Sequence, residues 1–395
     1  MAHALRHICR SYKMKGQSKM TTAAYLRELR KTFPKLAKKH GTPLFIVSKT
    51  LLLEQVARFR KLLPRVEPFY AVKANPNPDV LKVLAQAGLG FDVASPQEID
   101  WVLNAGATPD KLVYANTMKR NESITFACKR KVNLMTFDSE YELTKIARYA
   151  PGASVMVRIK VPNVGSIIEL SLKFGADPQD AVPLLLKAAR LGLKPVGVSF
   201  HVGSQCTHGD NYLEAFELCK IIVNDAMLKQ LPLQMLDIGG GFPIRHFDTD
   251  EDWFANMAPA MNMEMERLFD RSIRIIAEPG RAMVGPACML LLSVVGKSIR
   301  NNKHWYFLDD GVYGALSGII FDHCKYEFNV LKKGPSQLTT LAGPTCDSLD
   351  IISGAEELPE LDFGDLVYAR NIGAYSLASA TTFNGIPPAK PILVP

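Results

Sequence analysis

Residues 69–81, FYAVKANPNPDVL, place one lysine, Lys73, at the end of an apolar, strand-like run that breaks into Pro76-Asn77-Pro78. No acidic residue stands beside it in the chain. A lysine at a buried strand end loses hydration and its pKa falls. The neutral amine is a nucleophile, and its usual use is a Schiff base with a carbonyl. Other strand-like runs end at Asp92, Arg158 and His201, in Gly239-Gly240-Gly241, and in Glu278-Pro279-Gly280-Arg281. Singly, each has an ordinary explanation: Asp92 or Arg158 as half of an ion pair, Glu98 as a helix cap, His201 as a satisfied core histidine, the glycines as room for a close turn. Six strand ends carrying such groups together point to one site.

The elements that must position these groups follow a rhythm. Strand-like runs begin near Phe69, Gly90, Leu112, Leu134, Ser154, Gly197, Gln234 and Arg274, and segments with helical apolar spacing, such as DVLKVLAQAG and AVPLLLKAARLG, lie between them. Ser95-Pro96-Gln97-Glu98 and Ser139 with Glu142 have the spacing of capping boxes, and Asn77-Pro78 and Asp177-Pro178 are simpler starts. Alternating strands and helices imply a parallel sheet. Eight such units imply an α/β fold of the closed (β/α)8 type, with function at the C-terminal strand ends. After Met283 the pattern turns to strands and turn signals, so a C-terminal, mostly-β domain is expected. The expected boundaries are a basic extension over 1–19, an N-terminal segment at 20–45 packing with the β domain, the barrel at 46–282 and the β domain at 283–395. The run LFIV within 41–49 is expected to return the chain into the barrel.

Composition excludes several classes. The chain has 395 residues, 47% apolar and 22% charged, the balance of an ordinary globular protein. No run approaches a membrane span. Seven scattered cysteines without a CxxC pair suggest reduced thiols and a cytoplasmic location. The net charge is +8, but residues 1–19 hold Arg6, Arg10, Lys13, Lys15 and Lys19 and no acid, which leaves +3 for the rest. There is no basic stripe interleaved with aromatics, so no nucleic-acid partner is expected. The basic segment reads as a targeting leader or as a disordered extension ahead of Met20.

If the carbonyl that Lys73 meets belongs to pyridoxal 5′-phosphate, the other groups acquire roles. The phosphate needs backbone N–H groups and positive charge, which Gly239-Gly240-Gly241 and Gly280-Arg281 can supply. The pyridine nitrogen needs a carboxylate, and Glu278 suits it. His201 can pack on the ring. Other cofactors fit less well. There is no strand–GxGxxG–helix unit, no Walker A lysine, no HxxxH metal pair and no GxSxG elbow; no metal is expected.

The motifs YAVKAN, FDVAS, SFHVGS, DIGGGFP, EPGR, GPTCDSLD and GAYS run in order from about residue 40 to the C-terminus. Together they resemble the fold-type III, pyridoxal-phosphate-dependent basic amino acid decarboxylases, the ornithine decarboxylases most closely. The resemblance implies that Lys73 carries the cofactor, His201 stacks on its ring and Glu278 holds the pyridinium. It implies that Ser204, Gly239, Gly240, Gly241, Gly280, Arg281 and Tyr375 hold the phosphate, and that Asp92, Glu98 and Arg158 complete the surroundings. It further implies a head-to-tail homodimer in which Cys346 and Asp347 reach the neighbouring subunit's site. Cys346 is implied as the acid that protonates the α-carbon, and Asp322, Asp347 and Phe383 as substrate contacts. Two carboxylates suit an ammonium, so ornithine is expected as substrate, with a lysine or dual lysine/ornithine decarboxylase as the alternative. A diaminopimelate decarboxylase and a non-catalytic regulatory homologue are weaker readings. One departure is the segment between Arg158 and Lys173. The family has an Asp-Asp-Ser-like run there; this chain has VPNVGSIIELSLK. The other is that the chain stops soon after FNG, so regulation through a long C-terminal tail is not expected.

Overall fold

In a computed structural model, which describes residues 21–166 and 172–395, all eight runs become strands. After a first strand β1 (Leu44–Ser48) come β2 (Val66–Ala71), β3 (Gly90–Val93), β4 (Leu112–Tyr114), β5 (Leu134–Phe137), β6 (Ser154–Arg158), β7 (Lys194–Ser199), β8 (Met235–Asp237) and β9 (Arg274–Ala277). Strands β2 to β9 pair in parallel around a closed barrel. Phe69, Val113, Ala115, Met156 and Ile276 pack together, with Leu134, Val196 and Met235 against them. The strands are short and apolar because both faces are covered, by the barrel interior and by helices.

The caps show why the helices start where they do. Ser95 Oγ accepts from the Glu98 N–H at 3.2 Å, while Glu98 Oε2 accepts from the Ala94 N–H at 2.6 Å, so the box closes one residue early. Asn77 Oδ1 caps helix Pro78–Gln86 through Asp79 and Val80. Ser139 caps Glu140–Tyr149, but Glu142 does not reciprocate, because its carboxylate turns inward to Lys119 and Lys145. Asp177 forms no side-chain cap; its carboxylate pairs with Lys160 at 3.1 Å.

The second unit is a sheet of β10 (Cys288–Arg300), β11 (Lys303–Leu308), β12 (Phe328–Val330), β13 (Ser336–Ala342), β14 (Ile351–Pro359), β15 (Leu366–Arg370) and β16 (Lys390–Val394), joined by β1. The placement of β1 corrects an expectation. LFIV does not lead into the barrel: it pairs antiparallel with β10 and parallel with β16. All five residues of β1 are buried, and both backbone edges are satisfied within the sheet. Among the described residues, 21–55 with 245–250 and 284–395 form this unit, and those of 56–244 with 251–283 form the barrel unit. Residues 46–55, expected with the barrel, thus belong with the sheet. The expectations for residues 1–19 lie outside the described residues.

Candidate active site

Parallel strands bring their C-terminal ends to one rim, and the residues singled out in the barrel gather there. Lys73 sits in a single turn, Val72–Ala74, after β2. Its Nζ lies 2.7 Å from Asp92 Oδ2, and the side chain is 45% exposed. The expected desolvated amine is therefore a half-exposed ammonium held by a buried carboxylate. Pairing of β2 with β3 sets Ala71 beside Asp92, a contact that adjacency in the chain does not reveal.

The wall at the end of β8 is built on glycine. Gly239 and Gly241 have φ of +63° and +103°, in the region that favours glycine. A Cβ on Gly240 would meet Glu278 O at 2.7 Å and His201 Nε2 at 3.0 Å. Asp237 Oδ1 accepts from the Gly239 N–H at 2.9 Å, and Gly239 O accepts from the Glu278 N–H at 2.7 Å. Behind the turn, Tyr212 donates to Gly240 O at 2.8 Å and stacks on Phe242. Gly280 and Arg281 follow Glu278 at the start of the short helix Arg281–Val284, with Arg281 buried. Ser204 lies beyond Gly203 on the loop that also carries His201.

Electrostatics give each group a state. His201 Nδ1 accepts from the Gly203 N–H at 3.0 Å. Burial, then Arg158 and Lys73, holds the imidazole well below its usual range. It is neutral, with its proton on Nε2. Glu278 is buried, and burial, then Asp237 and Asp92, pushes its carboxyl well above the usual range against the pull of Lys73. Arg158 lies over the Phe174 ring, 5.0 Å from its centroid. Burial lowers its guanidinium, and the nearby carboxylates of Glu278, Asp138, Asp237 and Asp92 oppose that shift.

Burial also pushes Glu98 up to about 7. Between its ordinary 4.5 and about 7 the folded chain binds this proton more than the unfolded chain does. Stability therefore falls as pH rises through that window, by up to about 3 kcal/mol from this group. Denaturant titrations at about pH 5 and about pH 8 should show that loss in the wild type and a smaller one in Glu98→Gln. An equal loss in both would contradict the assignment.

The remaining candidates lie in the sheet unit. Cys346 is exposed, and its N–H donates to Asn384 Oδ1 at 3.1 Å. Asp347 Oδ1 accepts from the Leu349 N–H at 2.9 Å, and its Oδ2 accepts from the Tyr313 hydroxyl. These bonds, Leu349 first, hold the Asp347 carboxyl below its usual range. Phe383 stacks on Tyr313 with centroids 4.4 Å apart. Cys346, Asp347 and Phe383 thus form one group around Tyr313 and Asn384. Asp322 ends the turn Gly318–Phe321, and a Cβ on Gly318 would lie 3.5 Å from the Tyr375 carbonyl. Tyr375 itself has φ +53°.

The barrel rim fits pyridoxal phosphate on its own terms. Glu278 Oε1 is buried with no hydrogen-bond partner among the described residues, and the glycine turn has no room for side chains. Residues 49–285 match the family model of the pyridoxal binding domain of pyridoxal-dependent decarboxylases. The chain belongs to that family. It is 39% identical over 350 residues to the lysine/ornithine decarboxylase of Selenomonas ruminantium, covering 89% of each chain. It is 39% identical over 355 residues to the ornithine decarboxylase of Schizosaccharomyces pombe, covering 86% of this chain and 81% of that one. The solved structure of an SrLDC variant in complex with PLP superposes with a TM-score of 0.89 at 38% identity, covering 92% of this chain and 94% of that one. This chain is a pyridoxal-phosphate-dependent carboxy-lyase of basic amino acids.

Several buried or paired groups of this decarboxylase escaped the sequence. Lys119, fully buried, donates to Asn116 O at 2.8 Å and Thr136 O at 2.7 Å and pairs with Glu142 at 3.1 Å. Burial pushes it down to about 8. It braces the ends of β4 and β5. Tyr313 and Asp237 were also passed over. Asp237 stands inside DIGGGFP, where an acid ahead of three glycines was the available signal. In the altered segment after Arg158, Ser166 Oγ donates to Val202 O at 2.5 Å and Asn211 Nδ2 to Val164 O at 2.8 Å. Residues 167–171 lie outside the described residues.

Proposed function

We propose that this decarboxylase converts L-ornithine to putrescine and carbon dioxide, a step of polyamine synthesis, with lysine as a slower substrate. The observation that carries the reading is the anion at Asp347, favoured by the bonds from the Leu349 N–H and the Tyr313 hydroxyl, beside the stacked ring of Phe383. Such a carboxylate, with Asp322, favours a distal ammonium and repels the second carboxylate of diaminopimelate. Arginine is excluded mainly by length. Ornithine and lysine differ by one methylene, worth roughly 1–3 kcal/mol in a pocket. The similarity to a protein named lysine/ornithine decarboxylase supports the dual reading as the second choice.

Lys73 Nζ is the attachment point, and Asp92 keeps it oriented and supplies a place for its proton. Glu278 faces the ring nitrogen, His201 lies flat as a neutral ring, and Ser204, the glycine turn, Gly280, Arg281 and Tyr375 hold the phosphate. Glu98 and Arg158 complete the charge balance around them. Bound pyridoxal phosphate supplies a carbonyl for the substrate amine and a conjugated ring that accepts the electrons of the broken bond. Cys346 of one subunit delivers a proton from Sγ to the α-carbon of a substrate in the other, within a head-to-tail homodimer. A non-catalytic homologue is disfavoured because Lys73 and Cys346 are both present. The seven scattered cysteines without a CxxC pair support a reducing, cytoplasmic compartment.

Turnover measured in parallel with ornithine, lysine, arginine and diaminopimelate should rank ornithine first and lysine second. Preference for arginine or diaminopimelate overturns the reading; preference for lysine selects the second choice. Asp322→Ala should raise KM for ornithine at least about tenfold, the loss expected for one charged contact. Cofactor affinity should stay within about twofold; an unchanged KM would remove Asp322 from the substrate pocket.

A further inference from the structure

Asp237 has no part in the mechanism above, yet it is fully buried at the end of β8, beside Glu278. Its Oδ1 holds the Gly239 N–H, and Gly239 O in turn holds the Glu278 N–H. Strands β8 and β9 pair with Asp237 beside Ile276, two residues before Glu278, so two buried carboxyls stand at the same end of adjacent strands, where each acts on the other's titration. Asp237 Oδ2 and Glu278 Oε1 have no donor partner among the described residues. Two ionised carboxylates so placed and away from water repel strongly, so one proton stays between them. The ionisable groups acting on the pair are Asp92, Arg158 and Lys73, with the buried Cys219 thiol also near Asp237.

We propose that Asp237 is a positioning residue: it shares one proton with Glu278, fixes that carboxyl, and ties it to the glycine turn that begins at Gly239. This rests on the reading of Glu278 as the carboxylate for the cofactor's ring nitrogen. With the site empty, the proton rests on Glu278, which spares the rim a bare buried anion. When a cationic N–H faces Glu278, the same proton rests on Asp237 and Glu278 keeps the charge. No proton has to enter or leave the pair.

The test uses apoenzyme and measures pyridoxal phosphate binding by absorbance, with circular dichroism to confirm folding. Asp237→Asn keeps an acceptor for the Gly239 N–H and offers Glu278 an amide N–H in place of the shared proton. It should bind the cofactor within about threefold of wild type. Asp237→Ala leaves both neighbours without a partner and should weaken binding at least about tenfold. Infrared difference spectra of the apoenzyme should contain a protonated-carboxyl band that is lost in both Asp237→Asn and Glu278→Gln. If Asp237→Ala does not fold, the asparagine variant and the infrared band decide. An Asp237→Asn as weak as Glu278→Gln, an Asp237→Ala as tight as wild type, or a carboxyl band unchanged in Asp237→Asn would each overturn the proposal. Glu278→Gln binding as tightly as wild type would instead remove the assignment of Glu278 itself.

Discussion

Lys73→Ala should lower turnover by at least about 10⁴-fold, the scale set by removal of a nucleophile that acts as part of a unit. The loss should not come from unfolding. The variant leaves the buried Asp92 carboxylate without its ammonium, at a cost of about 1–3 kcal/mol, against a typical domain stability of about 5–15 kcal/mol. The circular dichroism spectrum should therefore match wild type while activity is gone. Lys73→Arg keeps the charge on Asp92 but has no neutral amine at working pH, so it should restore stability and not turnover. A folded alanine variant retaining a tenth of the wild-type rate would mean that another amine carries the chemistry.

Cys346→Ala should also be nearly inactive as a homodimer, and for a different reason. Cys346 and Asp347 stand in the sheet unit, whereas Lys73 stands in the barrel unit. In a two-fold head-to-tail dimer, a hybrid of Lys73→Ala with Cys346→Ala has one site lacking both groups and one site with both intact. Random exchange makes half the dimers hybrid, so mixing the two dead proteins should restore up to about a quarter of the wild-type sites. No recovery, under conditions where subunit exchange is demonstrated by labelled chains, would mean that each site is built within one chain.

The barrel was legible because its strands are short apolar runs ending at turn signals, and several are followed by a helix with a side-chain cap. The rim residues were legible because the strand ends share one side of such a barrel. What the sequence did not carry was lateral contact. Asp92 reaches Lys73 only because β2 and β3 pair with Ala71 beside Asp92, and this turned an expected desolvated amine into an ion pair. Asp237 acts on Glu278 because β8 and β9 are neighbours. Glu142 looked like a cap until its carboxylate proved to be the partner of Lys119, two elements away. Tyr313 and Asp347 are 34 residues apart and touch through a hydroxyl. The misplacement of β1 has the same cause. A fully apolar strand suits a barrel or a sheet centre equally well, and only its pairing with β10 and β16 decides between them.

The central claim is that the half-exposed ammonium at the end of β2 is where pyridoxal phosphate attaches. Borohydride reduction of the cofactor-loaded protein, followed by proteolysis and mass mapping of the labelled peptide, tests it without reference to activity. The account predicts one labelled peptide, containing FYAVKANP, with the added mass on Lys73. A label on any other lysine, or none after demonstrated cofactor binding, would contradict it.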